Sequence, residues 1–252
     1  MHEDKAAAKV ALVTGGMGGL GTAICRRLHD DGFQVAATYS PHNPAPEAWL
    51  AAQRDDGYRF QAYKLDVTDY GDCEWMMQKL LSEMGRLDVL VNNAGITRDR
   101  SLRKMSLEDW QAVLRANLDS VFNLSKQAIE PMMARRWGRI VNVSSVNGQQ
   151  GAFGQTNYAA AKAGMHGFTK ALALEMARHG ITVNTVSPGY LRTRMVEAVP
   201  PDVMSGKILP QIPMGRLGEP DEVAGLVAYL VSELAGFMTG SNFAINGGQH
   251  MY

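Results

Sequence analysis

Tyr158 and Lys162 stand four residues apart, and Ser145 precedes the tyrosine by thirteen, in the stretch IVNVSSVNGQQGAFGQTNYAAAK. On a helix, positions i and i+4 lie on one face, so this spacing predicts an ammonium held beside a phenol oxygen. A free tyrosine has a pKa of about 10, and an adjacent cation lowers it by roughly 1–3 pH units because it favours the phenolate. A phenol shifted that far can give and take a proton near neutrality, which is general acid–base chemistry. An arbitrary Y-x-x-x-K is more often a surface lysine and a half-buried tyrosine on an amphipathic helix. The pair acquires meaning from the elements that hold it.

Apolar runs of strand length fall at Val10–Thr14, Gln34–Thr38, Arg59–Lys64, Val89–Asn92, Arg139–Val143, Thr182–Val186 and Asn242–Ile245, with longer segments of helical period between most of them. This alternation predicts a single α/β domain with a parallel sheet covered on both faces. Its 252 residues suffice for one large core. Gly32 and Gly180 stand where helices should end, Ser106 with Asp109 resembles a capping box, and Pro220 suits the first turn of the last helix. Ser145 ends the fifth strand. Its neighbour Ser144 is one residue out of phase and is expected to point to the other face. The stretch 190–218 carries Pro200, Pro201, Pro210 and Pro213 and follows the sixth strand, which predicts a mobile lid over the substrate side.

After the first strand, Thr14-Gly15-Gly16-Met17-Gly18-Gly19-Leu20-Gly21 runs directly into a helix. Glycines there let the backbone turn tightly, while the free N–H groups and positive end of the helix receive a pyrophosphate. Other strand ends supply matching groups. Tyr39 and Ser40 end the second strand, where a dinucleotide fold reads the adenosine ribose. Asp66 and Val67 offer a carboxylate and backbone groups to an adenine ring. Asn93, Ala94 and Gly95 allow close approach after the fourth strand, and Pro188 with Gly189 ends the sixth, where a carboxamide could dock. Each alone is ordinary turn chemistry. Their recurrence on one side of a sheet predicts a dinucleotide crevice.

Lys+Arg and Asp+Glu both number 25, so the formal net charge is zero and nothing favours nucleic acid or an anionic membrane as a partner. No apolar run approaches membrane-spanning length. The two cysteines, Cys25 and Cys73, form no C-x-x-C pair, and the six histidines lack metal-ligand spacing, so no metal site is expected. Neither G-x-S-x-G nor H-E-x-x-H is present. A soluble cytoplasmic protein is the expectation.

Taken together, TGGMGGLG, NNAG, the Ser145 to YAAAK spacing and VNTVSPG resemble the short-chain dehydrogenases/reductases of the single-domain type, over nearly the whole chain. The resemblance implies a Rossmann-type, doubly wound, seven-stranded parallel sheet, a nicotinamide cofactor and a homotetramer with helix-bundle interfaces. It also places a catalytic tetrad on Asn117, Ser145, Tyr158 and Lys162. Ser145 would stabilise the substrate oxygen, Tyr158 would protonate it, Lys162 would hold the nicotinamide ribose, and Asn117 would hold a water that links Lys162 to solvent.

Within the family, NNAGITRDRSLRKMSLEDW, WGRIVNVSSVNGQQGAFGQTNY, HGFT, VSPGY and NGGQHM resemble the acetoacetyl-CoA reductases, which make (R)-3-hydroxybutyryl-CoA for polyhydroxyalkanoate storage. By position, Asp99, Gln155 and Tyr190 would line the acyl and pantetheine path. The 3-oxoacyl-acyl-carrier-protein reductases share the tetrad and stand as an alternative, and a non-catalytic nicotinamide-binding sensor is a third. Relatives often carry a basic residue in the lid near Val196–Asp202, whereas this chain has Pro200-Pro201, leaving Arg192, Arg194 or Lys207 as substitutes. Family habit implies NADPH. Met17 stands where NADP-preferring relatives often have a basic side chain, and neither Arg nor Asp follows the second strand, which leaves NADH open.

Overall fold

The structure, a computed structural model, describes residues 8–193 and 201–251. Seven parallel strands form one sheet: β1 (Val10–Val13), β2 (Gln34–Tyr39), β3 (Phe60–Lys64), β4 (Val89–Asn92), β5 (Gly138–Val143), β6 (Ile181–Pro188) and β7 (Asn242–Ile245). Their spatial order is β3-β2-β1-β4-β5-β6-β7. The chain therefore reverses direction across the sheet between β1 and β4, the switch point at whose carboxyl ends open α/β sheets bind ligands.

Eight helices are labelled here: α1 (Gly19–Asp30), α2 (Pro46–Asp55), α3 (Tyr70–Met84), α4 (Leu107–Leu114), α5 (Ser120–Arg135), α6 (Asn147–Gln150), α7 (Thr156–Met176) and α8 (Pro220–Val231). Alternate strand residues point to opposite faces. Leu12, Leu90, Ile140 and Val183 pack one way, against Met76 and Leu80 of α3, Leu124 and Met132 of α5 and Leu172 of α7. Ala11, Val13, Val91 and Val141 pack the other way, against Ile24 and Leu28 of α1 and Val223 and Val227 of α8. Fully burying each larger side chain contributes about 1.5–3 kcal/mol, so the two layers clamp the sheet and hold its strand ends in place.

One of the two bonds of the expected Ser106–Asp109 capping box forms, while the Asp109 carboxylate accepts from Arg98 at 3.4 Å. Ser106 Oγ accepts from the Asp109 N–H at 3.1 Å, and Pro220 opens α8. Gly32 and Gly180 have φ of 88° and 75° after their helices.

The described part of the stretch 190–218, read from sequence as a substrate lid, contains short helical turns. Pro201–Val203, Met204–Ile208 and Leu209–Gln211 are short helical turns. Pro201 and Pro210 stand at first-turn positions, where the missing N–H has no helical partner to lose. Ile208, Ile212 and Leu217 form a small apolar cluster of their own, and the ends of the stretch are joined by Gly218 N–H to Tyr190 C=O at 2.9 Å and Arg192 N–H to Gly218 C=O at 2.8 Å. Arg194 and most of the Val196–Asp202 segment lie outside the described residues.

Candidate active site

The glycine-rich turn lies at the switch point. Thr14 Oγ1 accepts from the N–H groups of Asn93 and Ala94 at 2.9 and 3.0 Å, and Asn93 Nδ2 donates to the Thr14 carbonyl at 2.9 Å. These bonds lock the turn after β1 to the turn after β4. Gly21 must lack a side chain, since a Cβ there would run into the Gly15 carbonyl oxygen. That close approach carries α1 directly out of the turn. At the helix mouth Gly18 and Gly19 are exposed, no side chain caps the first turn, and it contains no acid. The starts of α3 and α4, by contrast, are capped by Asp69 and Ser106. An uncapped, acid-free helix N-terminus leaves donors and positive potential for an anion.

The remaining predicted cofactor residues lie at other strand ends and differ in how far their polar groups are already engaged. Met17 Sδ accepts from Asn43 Nδ2 at 3.3 Å, which brings the loop after β2 over the turn beside Leu20. Tyr39 is half-buried, and Ser40 Oγ already accepts from the His42 N–H at 3.2 Å. Asp66 Oδ1 accepts from Thr68 N and Oγ1 at 3.0 and 2.7 Å, so this carboxylate orders its own turn. The Val67 carbonyl accepts from Asn123 at 3.0 Å. Pro188 C=O accepts from Val146 N–H at 2.8 Å, joining the end of β6 to the turn that follows Ser145.

Helix α7 carries Tyr158 and Lys162, and a buried polar ladder sets its height on the sheet. Asn92 Nδ2 donates to Asn142 Oδ1 at 2.8 Å, Asn142 Nδ2 to Thr169 Oγ1 at 2.9 Å, and Thr185 Oγ1 to Thr169 Oγ1 at 2.8 Å. Ser144 donates to the Lys162 carbonyl at 2.8 Å, so its hydroxyl is committed to the helix backbone. Each buried bond here would leave an unpaired partner if broken, so alternative placements of the helix are penalised.

The Ser145 hydroxyl faces the Tyr158 phenol closely enough to favour its ionised form. Lys162 is buried, its Nζ donates to the Val143 carbonyl at 2.8 Å, and it lies 5.5 Å above the centre of the Tyr158 ring. Asn117 sits in a π-helical turn, Arg115–Asp119, that joins α4 to α5. Its Nδ2 donates to the Ile96 and Val113 carbonyls, both at 2.9 Å, while its buried Oδ1 has no protein partner. Gly95 separates Asn117 from Lys162: a Cβ at that position would strike Asn117 Oδ1 and lie 3.5 Å from Lys162 Nζ. The four predicted tetrad residues are thus neighbours: Ser145 faces Tyr158, Tyr158 lies under Lys162, and Lys162 and Asn117 both approach Gly95.

The electrostatics correct the expectation for the tyrosine. Burial raises the Tyr158 pKa above the ordinary value, the Ser145 hydrogen bond opposes that rise, and the Asp99 charge adds to it. Lys162 does not lower it, because burial pushes the lysine's own pKa down to about 7, so the amine is already neutral at the pH where the phenol ionises. The i,i+4 spacing placed the two groups together, but burial decided the sign.

Of the predicted substrate residues, Asp99 and Gln155 are joined: Gln155 Nε2 donates to Asp99 Oδ2 at 2.8 Å. Tyr190 packs against the Ile208, Ile212 and Leu217 cluster instead. Three neighbours of the predicted site residues escaped the sequence reading. Asn157 is buried and donates to the Arg98 and Asp109 carbonyls at 3.1 and 3.3 Å, fixing the residue before Tyr158. Thr193 lies against Gly19 at the cofactor mouth. Asn147 links Ser145 to Gln155. Each looks like a turn residue in sequence, and only the asparagine directly before the tyrosine offered a positional signal.

A family model described as short chain dehydrogenase matches residues 9–203. The chain belongs to the short-chain dehydrogenase family. Among curated members of that family, the acetoacetyl-CoA reductase of Cupriavidus necator is 56% identical over 96% of this chain and 98% of its own length. The acetoacetyl-CoA reductase of Allochromatium vinosum is 48% identical over 97% of this chain and 100% of its own. The 3-oxoacyl-acyl-carrier-protein reductase of Escherichia coli is 45% identical over 96% and 98%. The chain is therefore a nicotinamide-dependent oxidoreductase, and its residues fit that group: a bare helix N-terminus suits the pyrophosphate, and the buried, unpartnered Asn117 Oδ1 beside Lys162 suits a polar relay at the nicotinamide end. Among the described residues no cluster could hold a metal ion, and no helix is long and apolar enough to cross a membrane.

Proposed function

We propose that the chain reduces the 3-oxo group of acetoacetyl-CoA to (R)-3-hydroxybutyryl-CoA, the reductive step that feeds polyhydroxybutyrate. The carrying observation is Tyr158 with buried Lys162 held 5.5 Å over its ring and the Ser145 hydroxyl facing its phenol, at the carboxyl end of the sheet. The choice of thioester is supported by the relatives, since the acetoacetyl-CoA reductase of Cupriavidus necator is 56% identical and the carrier-protein reductase 45%.

Bound nicotinamide supplies the hydride. Gly15, Met17, Gly18, Gly19, Leu20, Gly21, Tyr39, Ser40, Asp66, Val67, Asn93, Ala94, Gly95, Pro188 and Gly189 would hold the dinucleotide. Ser145 donates a hydrogen bond to the reacting carbonyl oxygen and stabilises the charge that grows there. Tyr158 hands that oxygen a proton. Its raised pKa keeps the phenol protonated at neutral pH, as an acid in the reductive direction requires. Lys162, with a pKa of about 7, exchanges protons readily, and Asn117 Oδ1 across Gly95 offers an acceptor for a bridging water. Asp99, Gln155 and Tyr190 border the acyl and pantetheine path.

NADPH is the proposed cofactor, with NADH also competent, because no carboxylate at the end of β2 repels a 2′-phosphate and no arginine there holds one. A homotetramer is proposed with it. Phe122 of α5 and Tyr70 of α3 stack at 6.2 Å and are 50% and 42% exposed, an apolar pair suited to a helix-bundle contact between copies. The cysteines are free thiols, in keeping with a cytoplasmic enzyme.

Initial-rate kinetics with acetoacetyl-CoA and with an acetoacetyl carrier-protein thioester, each with NADH and NADPH, test the proposal. The CoA thioester should give the higher kcat/KM. A preference for the carrier protein, or comparable rates with simple sugars or steroids, would overturn it.

A further inference from the structure

We infer that Asn147 is a positioning residue that aims the Ser145 hydroxyl through a hydrogen-bond chain of fixed polarity ending at Asp99. The inference rests on the proposed role of Ser145 at the reacting oxygen. Three separate segments converge on this chain: the turn after β5, the approach to α7 and the loop after β4.

Asn147 N–H donates to Ser145 Oγ at 3.1 Å. A hydroxyl has one proton and two acceptor sites, so filling an acceptor site with a backbone N–H fixes the rotamer and turns the proton outward. That proton is then directed toward the Tyr158 phenol, which the Ser145 hydroxyl faces, or toward a substrate oxygen in the same place. The remaining question is what holds the backbone of Asn147, on a helix of only four residues.

Its side chain supplies the answer. Asn147 Nδ2 donates to Gln155 Oε1 at 2.9 Å, and Gln155 Nε2 donates to Asp99 Oδ2 at 2.8 Å. An ionised carboxylate only accepts, so Asp99 obliges Gln155 to present its NH₂ group there and its carbonyl to Asn147. Asn147 must then present its own NH₂ group. The direction of both amides is thus set from one end. The loop bearing Asp99 is itself anchored, since Arg100 N–H donates to Gly154 C=O at 2.8 Å and Asn157 Nδ2 donates to Arg98 C=O at 3.1 Å. Asn147 therefore transmits the placement of two outer loops to the hydroxyl of Ser145.

Polarity makes this testable. In Asn147→Asp a carboxylate faces the Gln155 carbonyl, acceptor against acceptor, and kcat should fall about tenfold, as misplacement of a reacting group does. Adding Asp99→Asn reverses the chain: Asn donates to the Gln155 carbonyl at one end, and Gln155 donates to the new carboxylate at the other. The double variant should recover kcat to within about twofold of Asp99→Asn alone, a coupling that two independent defects would not show. KM is read separately, because Asp99 and Gln155 border the substrate path. A double variant no faster than Asn147→Asp would overturn the inference. Should Asn147→Asp fail to fold, Asn147→Ala with and without Asp99→Asn takes its place: alanine lowers kcat and Asp99→Asn does not restore it, and restoration there would overturn the polarity argument. Ser145→Ala separates the two levels. If it leaves turnover intact, the underlying role of Ser145 fails; if it abolishes turnover while Asn147→Asp does nothing, only the role of Asn147 fails.

Discussion

Replacing Lys162 with methionine should stabilise the fold while removing activity. The lysine is 4% exposed, and burial takes its pKa from near 10.5 to about 7. At about 1.4 kcal/mol per pH unit, holding the ammonium there is unfavourable by on the order of 5 kcal/mol below neutral pH. Methionine of similar length removes that penalty, though it leaves the Val143 carbonyl without its 2.8 Å donor, which returns about 1–3 kcal/mol of destabilisation. A net gain of about 2–4 kcal/mol is expected at pH near 6. The sign over pH follows from proton counting. Between about pH 7 and 10 the unfolded chain holds the lysine proton and the folded chain does not, so wild-type stability climbs with pH by up to about 1.4 kcal/mol per pH unit relative to the variant. Below the folded value both states are charged, and the difference is flat. Urea denaturation of both proteins at one concentration, from about pH 6 to 9, measures this. A gap that stays constant over that range, or a variant less stable than wild type at the acid end, would refute the claim that Lys162 is held against a desolvation penalty.

Further expectations concern its neighbours. Tyr158→Phe should lower turnover by at least about a thousandfold while the NAD(P)H Kd, read by fluorescence titration, changes less than about twofold; retained turnover would remove the phenol from the mechanism. Gly95→Ala would push a methyl into Asn117 Oδ1 and against Lys162, so kcat should drop at least about tenfold, and wild-type kcat would show that the two groups do not need this approach. Asn157→Ala strips the Arg98 and Asp109 carbonyls of a donor and should destabilise the protein by about 1–3 kcal/mol in denaturant titrations, with no loss expected only if water enters to replace the amide.

Much of the frame was legible in the chain because it depends on short-range periodicity. Buried parallel strands read as continuous apolar runs, and all seven predicted runs became strands within a residue or two of their expected ends. Gly21 and Gly95 were visible as glycines in the right places, though only the packing showed what their missing side chains make room for. The turns within 190–218 were not legible, since prolines that break a helix interior also suit its first turn, and spacing alone does not tell the two apart.

Asn142 and Asn147 were equally opaque, because an asparagine that orders a buried network has the same local signature as one in an ordinary turn. Tyr158 and Lys162 mark the boundary between the two kinds of knowledge. The helical repeat alone put them on one face. Whether the phenol rose or fell in pKa depended on the water excluded by strands and helices distant in sequence, a sum over nonlocal packing that spacing does not contain.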